Sequence, residues 1–143
     1  MILVDSSVWI DFFRVGHGPA SSALAQCLGD SSVEVGMADL VLFEVMRGFR
    51  ESRSMREAQA LMSALPQVEI GGAAHALQAA ERYRRLRARG RTVSSPVDVL
   101  LASFCMTYGH VLLHRDADFE SLQVMGALDT WPQGPTGTCG RNK

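Results

Sequence analysis

The opening stretch Met1-Ile2-Leu3-Val4-Asp5-Ser6-Ser7-Val8-Trp9-Ile10-Asp11-Phe12-Phe13 decides the fold. Ile2-Leu3-Val4 is apolar without alternation and too short for a helix, which describes a strand covered on both faces. The residues from Ser6 to Phe13 follow as a helix, with Ser6 or Ser7 available as its cap. A strand that passes directly into a helix begins a crossover unit, and parallel strands need such crossovers. The same alternation runs outward along the chain. Helices are expected over Ala20–Leu28, Ala38–Phe49, Met55–Leu65, Ala73–Arg89, Ser95–Tyr108 and Phe119–Met125. Strands are expected over Val33–Gly36, Val68–Ile70 and Val111–Leu113, with Leu128–Thr130 as an edge strand. No two-residue hairpin turn joins any two strands. The expected fold is therefore α/β and doubly wound: a three-layer α/β/α sandwich with a short, mostly parallel central sheet of four to five strands.

The 143 residues fit one domain. We place it at residues 1–130 and read 131–143, rich in Pro, Gly, Thr and polar residues, as a flexible C-terminal tail. Apolar content of 47% and charged content of 20% describe an ordinary globule. A net charge of -1 provides no global attraction for nucleic acid or anionic membrane, so any nucleic-acid binding must be local. Cys27, Cys105 and Cys139 form no CxxC pair. Cys27 and Cys105 sit in apolar helical patterns as small core residues, and neither a disulfide scaffold nor a zinc knuckle is expected. A cytoplasmic location fits this cysteine usage. The N-terminus has no basic segment ahead of an apolar run, and no stretch reaches the ~20 apolar residues of a membrane helix. Two helices, around Val8–Phe13 and Leu40–Phe49, are apolar nearly all round. They are either central core helices or partly contact another chain.

Acids dominate the candidate chemistry. In open α/β sheets, ligands bind outside the carboxyl ends of the strands. Asp5 directly follows the first strand, and Asp116 follows Val111–Leu113 after His114 and Arg115. Asp98 lies in the first turn of its helix, and Glu44 lies among apolar neighbours on another. Each acid has a plainer alternative. Asp5 can cap the next helix, Ser95-Pro96-Val97-Asp98 is close to a capping box, and Asp116 and Asp118 can start a turn and a short helix. A cap contributes ~1 kcal/mol. Two carboxylates ~4 Å apart repel by ~4 kcal/mol at an effective dielectric of 20, so gathered acids must bind protons or hold a cation. Oxygen ligands without Cys or His suit Mg²⁺, with Mn²⁺ as a substitute. An ion so held can activate water for attack on a phosphodiester.

Four segments together resemble PIN-domain ribonucleases, and within them the VapC-type toxins of bacterial toxin–antitoxin pairs. They are Leu3-Val4-Asp5-Ser6-Ser7-Val8-Trp9-Ile10-Asp11, Val41-Leu42-Phe43-Glu44-Val45-Met46-Arg47-Gly48, Val97-Asp98-Val99-Leu100-Leu101-Ala102-Ser103 and Leu112-Leu113-His114-Arg115-Asp116-Ala117-Asp118-Phe119. The resemblance covers about residues 1 to 130. It implies Asp5, Glu44, Asp98 and Asp116 as the catalytic, metal-binding quartet, with Asp118 as an auxiliary ligand. It implies that Ser7, or Ser6 in its place, hydrogen-bonds near the metal. It further implies Mg²⁺-dependent endonucleolytic cleavage of RNA (transfer or ribosomal RNA), a homodimer and a cognate VapB-type antitoxin. His114 departs from the Ser or Thr common two residues before the last acid; it either donates to the site or packs.

Residues 82 to 91 contain six arginines. Arg85 and Arg87, with Arg115 beside the last acid, are read as RNA-binding; the plainer alternative is a solvated helix face. Three other functions are weighed: a phosphorylated receiver domain, a catalytically silent PIN-like module and a DNA nuclease of the same fold. The first requires a lysine near the acids, and the only lysine is Lys143.

Overall fold

The structure is a computed structural model and describes residues 1–14, 18–93, 95–115, 118–123, 126 and 128–131. Five strands form one parallel sheet: β1 (Ile2–Val4), β2 (Val35–Ala38), β3 (Gln67–Val68), β4 (Val111–Leu113) and β5 (Asp129–Trp131). Their order is β3-β2-β1-β4-β5. Helices α1 (Ser6–Arg14) and α2 (Pro19–Gly29) connect β1 to β2, and α3 (Asp39–Met46) and α4 (Arg53–Ser63) connect β2 to β3. Helices α5 (Ala73–Ala88) and α6 (Pro96–Tyr108) lead to β4, and α7 (Asp118–Leu122) leads to β5. No helix among the described residues is long and apolar enough to cross a membrane.

The order places the helices. Right-handed crossovers that step from β1 to β2 to β3 put α1 to α4 on one face. The chain then jumps back across the sheet to β4 and steps on to β5, which puts α5 to α7 on the other. The packing agrees: α1 meets α2 and α3, α3 meets α4, α5 meets α6, and α6 meets α7. The direction of winding reverses between β1 and β4, and such a switch point opens a crevice at the carboxyl edge of the sheet. Leu3, Val8, Trp9, Leu24, Leu101, Leu112 and Leu113 are fully buried in the core. Burying a side chain of this kind contributes ~1.5–3 kcal/mol.

Several boundaries differ from the sequence expectation, each for a local reason. β2 starts at Val35 because Ser32 donates to Asp30 Oδ1 through both its N–H (2.9 Å) and its hydroxyl (2.6 Å), and Val33 N–H bonds Asp30 O; the turn absorbs Val33 and Glu34. β3 stops at Val68 because Ile70 N–H donates to Asp39 Oδ1 at 2.9 Å instead of joining the ladder. α3 ends at Met46, where Gly48 N–H and Phe49 N–H fall into tighter turn bonds. Asp5, not Ser6 or Ser7, occupies the cap position of α1, accepting from Ser7 N–H at 3.2 Å. Trp131, expected in the tail, completes β5 opposite Leu113, and its carbonyl accepts from His114 N–H at 3.2 Å. Residues 132–143 lie outside the described residues. Cys105 is a free core thiol, as expected, and burial pushes it well above the ordinary thiol range. Cys27 is buried, as expected.

Candidate functional site

Asp5 stands at the switch crevice. Its N–H donates to Leu113 O at 3.0 Å, which extends the β1–β4 ladder by one bond, and its carbonyl accepts from Val8 and Trp9 as α1 begins. The side chain is only 4% exposed. Ser7 donates to Asp5 Oδ2 through both its hydroxyl and its N–H, so one carboxylate oxygen is fixed by the next turn of chain. Of the two serines proposed as supporting residues, Ser7 makes this contact.

Asp98 lies in the first turn of α6, 8% exposed. Only Gly109 and His110 separate α6 from β4, so the helix must run antiparallel to the strand and start at the carboxyl edge of the sheet. Its cap uses Ser95, whose Oγ accepts from Asp98 N–H at 3.4 Å. The backbone of Asp98 therefore serves the cap, and its carboxylate is not the capping acceptor in that bond. Glu44 is half-buried on α3, and its Oε1 has no hydrogen-bond partner among the described residues. An anionic oxygen withdrawn from water without a donor is costly, and a cation would satisfy it. Asp116 lies outside the described residues, and of the Asp118 side chain nothing is described. Among the described residues no group of three or more His, Cys, Asp or Glu could hold a metal ion. The oxygen donors that are described, two buried carboxylates and the orphaned Glu44 oxygen, are of the kind a hard divalent cation takes.

His114 is buried, with its ring tilted against Phe119 at 5.0 Å. Asp39 was not singled out in the sequence, although it follows β2 as Asp5 follows β1. It accepts from Leu40 N–H and Ile70 N–H, both at 2.9 Å, and so clamps the chain after β3.

The arginines divide by their contacts. Arg82 is structural: its Nη1 donates to Ser103 O (2.7 Å), Ser103 Oγ (2.6 Å) and Thr107 Oγ1 (2.8 Å), tying α5 to α6. Arg82→Met is expected to cost about 1–3 kcal/mol, because it strands the buried Ser103 hydroxyl; a urea unfolding midpoint checks this. Arg85 pairs with Glu81 at 3.0 Å, and Arg87 lies 6.0 Å from the Tyr83 ring centre, both on the surface. His75, at the start of α5, contacts Phe104 and Tyr108 near the end of α6, while Tyr83 OH donates to Val93 O ahead of α6. The two helices are thus antiparallel, and the arginine-rich end of α5 lies toward the Asp98 end of α6. Arg115, read from the sequence as RNA-binding, donates from Nη1 to Asp11 Oδ2.

The PIN domain family matches residues 2–124. Ribonuclease VapC11 of Mycobacterium tuberculosis is 30% identical over 120 residues, covering 84% of this chain and 90% of its own. VapC ribonuclease Mb1587 of Mycobacterium bovis matches with the same figures. The fold is also that of VapBC2 from Rickettsia felis bound to a promoter DNA fragment (TM-score 0.67, 17% identity, 92% of this chain and 99% of that one). VapC20 of Mycobacterium tuberculosis, a sarcin-ricin loop cleaving toxin, gives a TM-score of 0.62 at 20% identity, covering 85% and 94%. With its sheet order, its buried acid at the end of β1 and these matches over nearly the whole domain, the chain belongs to the PIN-domain family and is homologous to the VapC toxins of toxin–antitoxin systems.

Proposed function

We propose that this chain is a Mg²⁺-dependent endoribonuclease and the toxin of a type II toxin–antitoxin pair, acting in the cytoplasm as a homodimer. The observation that carries the reading is Asp5: a carboxylate 4% exposed, at the crevice where the sheet reverses, in a PIN-domain chain. Relatives named as ribonucleases favour RNA over DNA. Asp5, Glu44, Asp98 and Asp116 would hold the ion, with Asp118 as a helper. When bound, Mg²⁺, or Mn²⁺ in its place, would supply a Lewis acid that activates water and offsets charge developing on the phosphodiester. Ser7 holds the Asp5 carboxylate in one orientation. Packing of His114 on Phe119 sets the chain that leads to Asp116. The end of α5 would guide the RNA backbone, through Arg85 and Arg87, toward the acids.

A cognate VapB-type antitoxin is the expected partner. An apolar groove of about 230 Å³ between α1 and α3, lined by Ile10, Phe13, Val45 and Phe49 and edged by Arg14 and Arg50, supports a seat for a partner segment with apolar and acidic side chains. It also accounts for the surplus apolar surface of these two helices.

Incubating total RNA, and separately single-stranded DNA, with Mg²⁺ or Mn²⁺ tests the function. Cleavage of RNA supports it. Cleavage of DNA alone assigns a DNA nuclease, and cleavage of neither assigns a silent module. Exchanging Arg85 and Arg87 together for Gln is expected to weaken RNA binding several-fold at low salt and to flatten its salt dependence. Binding that falls with salt as in the wild type would return both residues to a solvated helix face.

A further inference from the structure

Among the described residues, the other three ion pairs join residues four or five apart. The Arg115–Asp11 pair joins residues 104 apart. Its two ends belong to opposite sides of the switch crevice. Asp11 lies on α1, which leaves β1 toward one face and whose first turn is bonded to the Asp5 carbonyl. Arg115 follows His114, whose N–H bonds Trp131 O and whose ring rests on Phe119 on the other side. Arg115 also directly precedes Asp116 in the chain.

We propose that Asp11 and Arg115 form a positioning clasp across the β1–β4 crevice, which holds the segment leading to Asp116 against the helix that starts at Asp5 and thereby sets divalent-cation affinity. The proposal rests on the metal-site reading above. In this role the pair acts through the segments it joins. The clasp acts by fixing the separation of two strand-end segments that belong to opposite helical layers. Groups that only orient ligands commonly change metal affinity by 10–100-fold. An exposed ion pair contributes little to folding, so breaking it leaves the protein folded. A direct phosphate contact by Arg115 is the competing reading, and it has a different signature. It needs RNA to be seen, and it does not involve Asp11.

The test is Mn²⁺ titration by calorimetry on the full chain without RNA, for wild type, Asp11→Asn, Arg115→Gln, the double variant and Asp5→Asn. Melting in EDTA checks that each is folded. Each clasp variant is expected to bind Mn²⁺ about tenfold more weakly, with the double variant no weaker than the worse single one, because both substitutions break one contact. Exchanging the two charges, Asp11→Arg with Arg115→Asp, should recover part of the affinity. Wild-type Mn²⁺ affinity in both single variants overturns the clasp. If Asp5→Asn also binds Mn²⁺ like the wild type, the metal site itself is misassigned; if only Asp5→Asn loses it, the clasp alone fails.

Discussion

Under the proposed function, Asp5→Asn is expected to lower metal-dependent RNA cleavage by at least about 100-fold, since even groups that merely orient metal ligands are worth 10–100-fold. The substitution keeps size and shape. The asparagine carbonyl oxygen can still accept from Ser7, so α1 should start as it does now. Only the negative charge goes. The buried setting makes that charge expensive without a cation and useful with one. The metal-free protein should therefore melt no lower than the wild type, and the melting increase produced by Mg²⁺ should shrink. Asp98→Asn is expected to behave similarly, because the capping bond at α6 uses the Ser95 side chain and the Asp98 backbone, both retained. Ser95→Ala, by contrast, removes the cap acceptor and should cost about 1 kcal/mol. Equal cleavage by wild type and Asp5→Asn would identify a contaminating nuclease and remove the mechanism.

Trp9→Ala is expected to cost about 3–5 kcal/mol. Trp9 is fully buried, stacked on Phe13 at 5.7 Å and edge-on to Phe12 at 6.0 Å. It sits one turn after Asp5, on the helix that packs against α2 and α3. Against a total stability of ~5–15 kcal/mol, the loss brings the domain close to unfolding. Trp9→Phe should cost less than about 1.5 kcal/mol. Phenylalanine leaves some space empty, but it also removes an indole N–H that is buried without a partner among the described residues. Urea unfolding of both variants separates the two contributions. Equal losses would mean that the indole N–H is satisfied.

Much of the fold was legible in the sequence. Ile2–Val4 and Val111–Leu113 read with their observed bounds, because each is an apolar run closed by polar residues. β2 and β3 were displaced because side chains intervened. The Asp30 carboxylate built a turn ahead of β2, and the Asp39 carboxylate took the Ile70 N–H away from the ladder. Hydrophobic runs show where a strand is possible, not which backbone donors side chains will capture. The place of Asp5, directly after β1, was legible too. The clasp was not, since nothing local to Asp11 or Arg115 marks a partner 104 residues away.

The sequence by itself determined the element types and their alternation, because period and breakers are local properties. It also held the four segments that mark a PIN domain. The tertiary structure alone decided that β1 and β4 are neighbours at a reversal of winding, and so that Asp5 faces a crevice rather than a covered edge. It also joined Arg82 to Ser103 and Arg115 to Asp11, contacts between residues far apart in the chain. The physical reason is common to both. A charge takes its role from the partner and the solvent it meets after folding, and strand order and long-range pairing settle those only when the sheet closes.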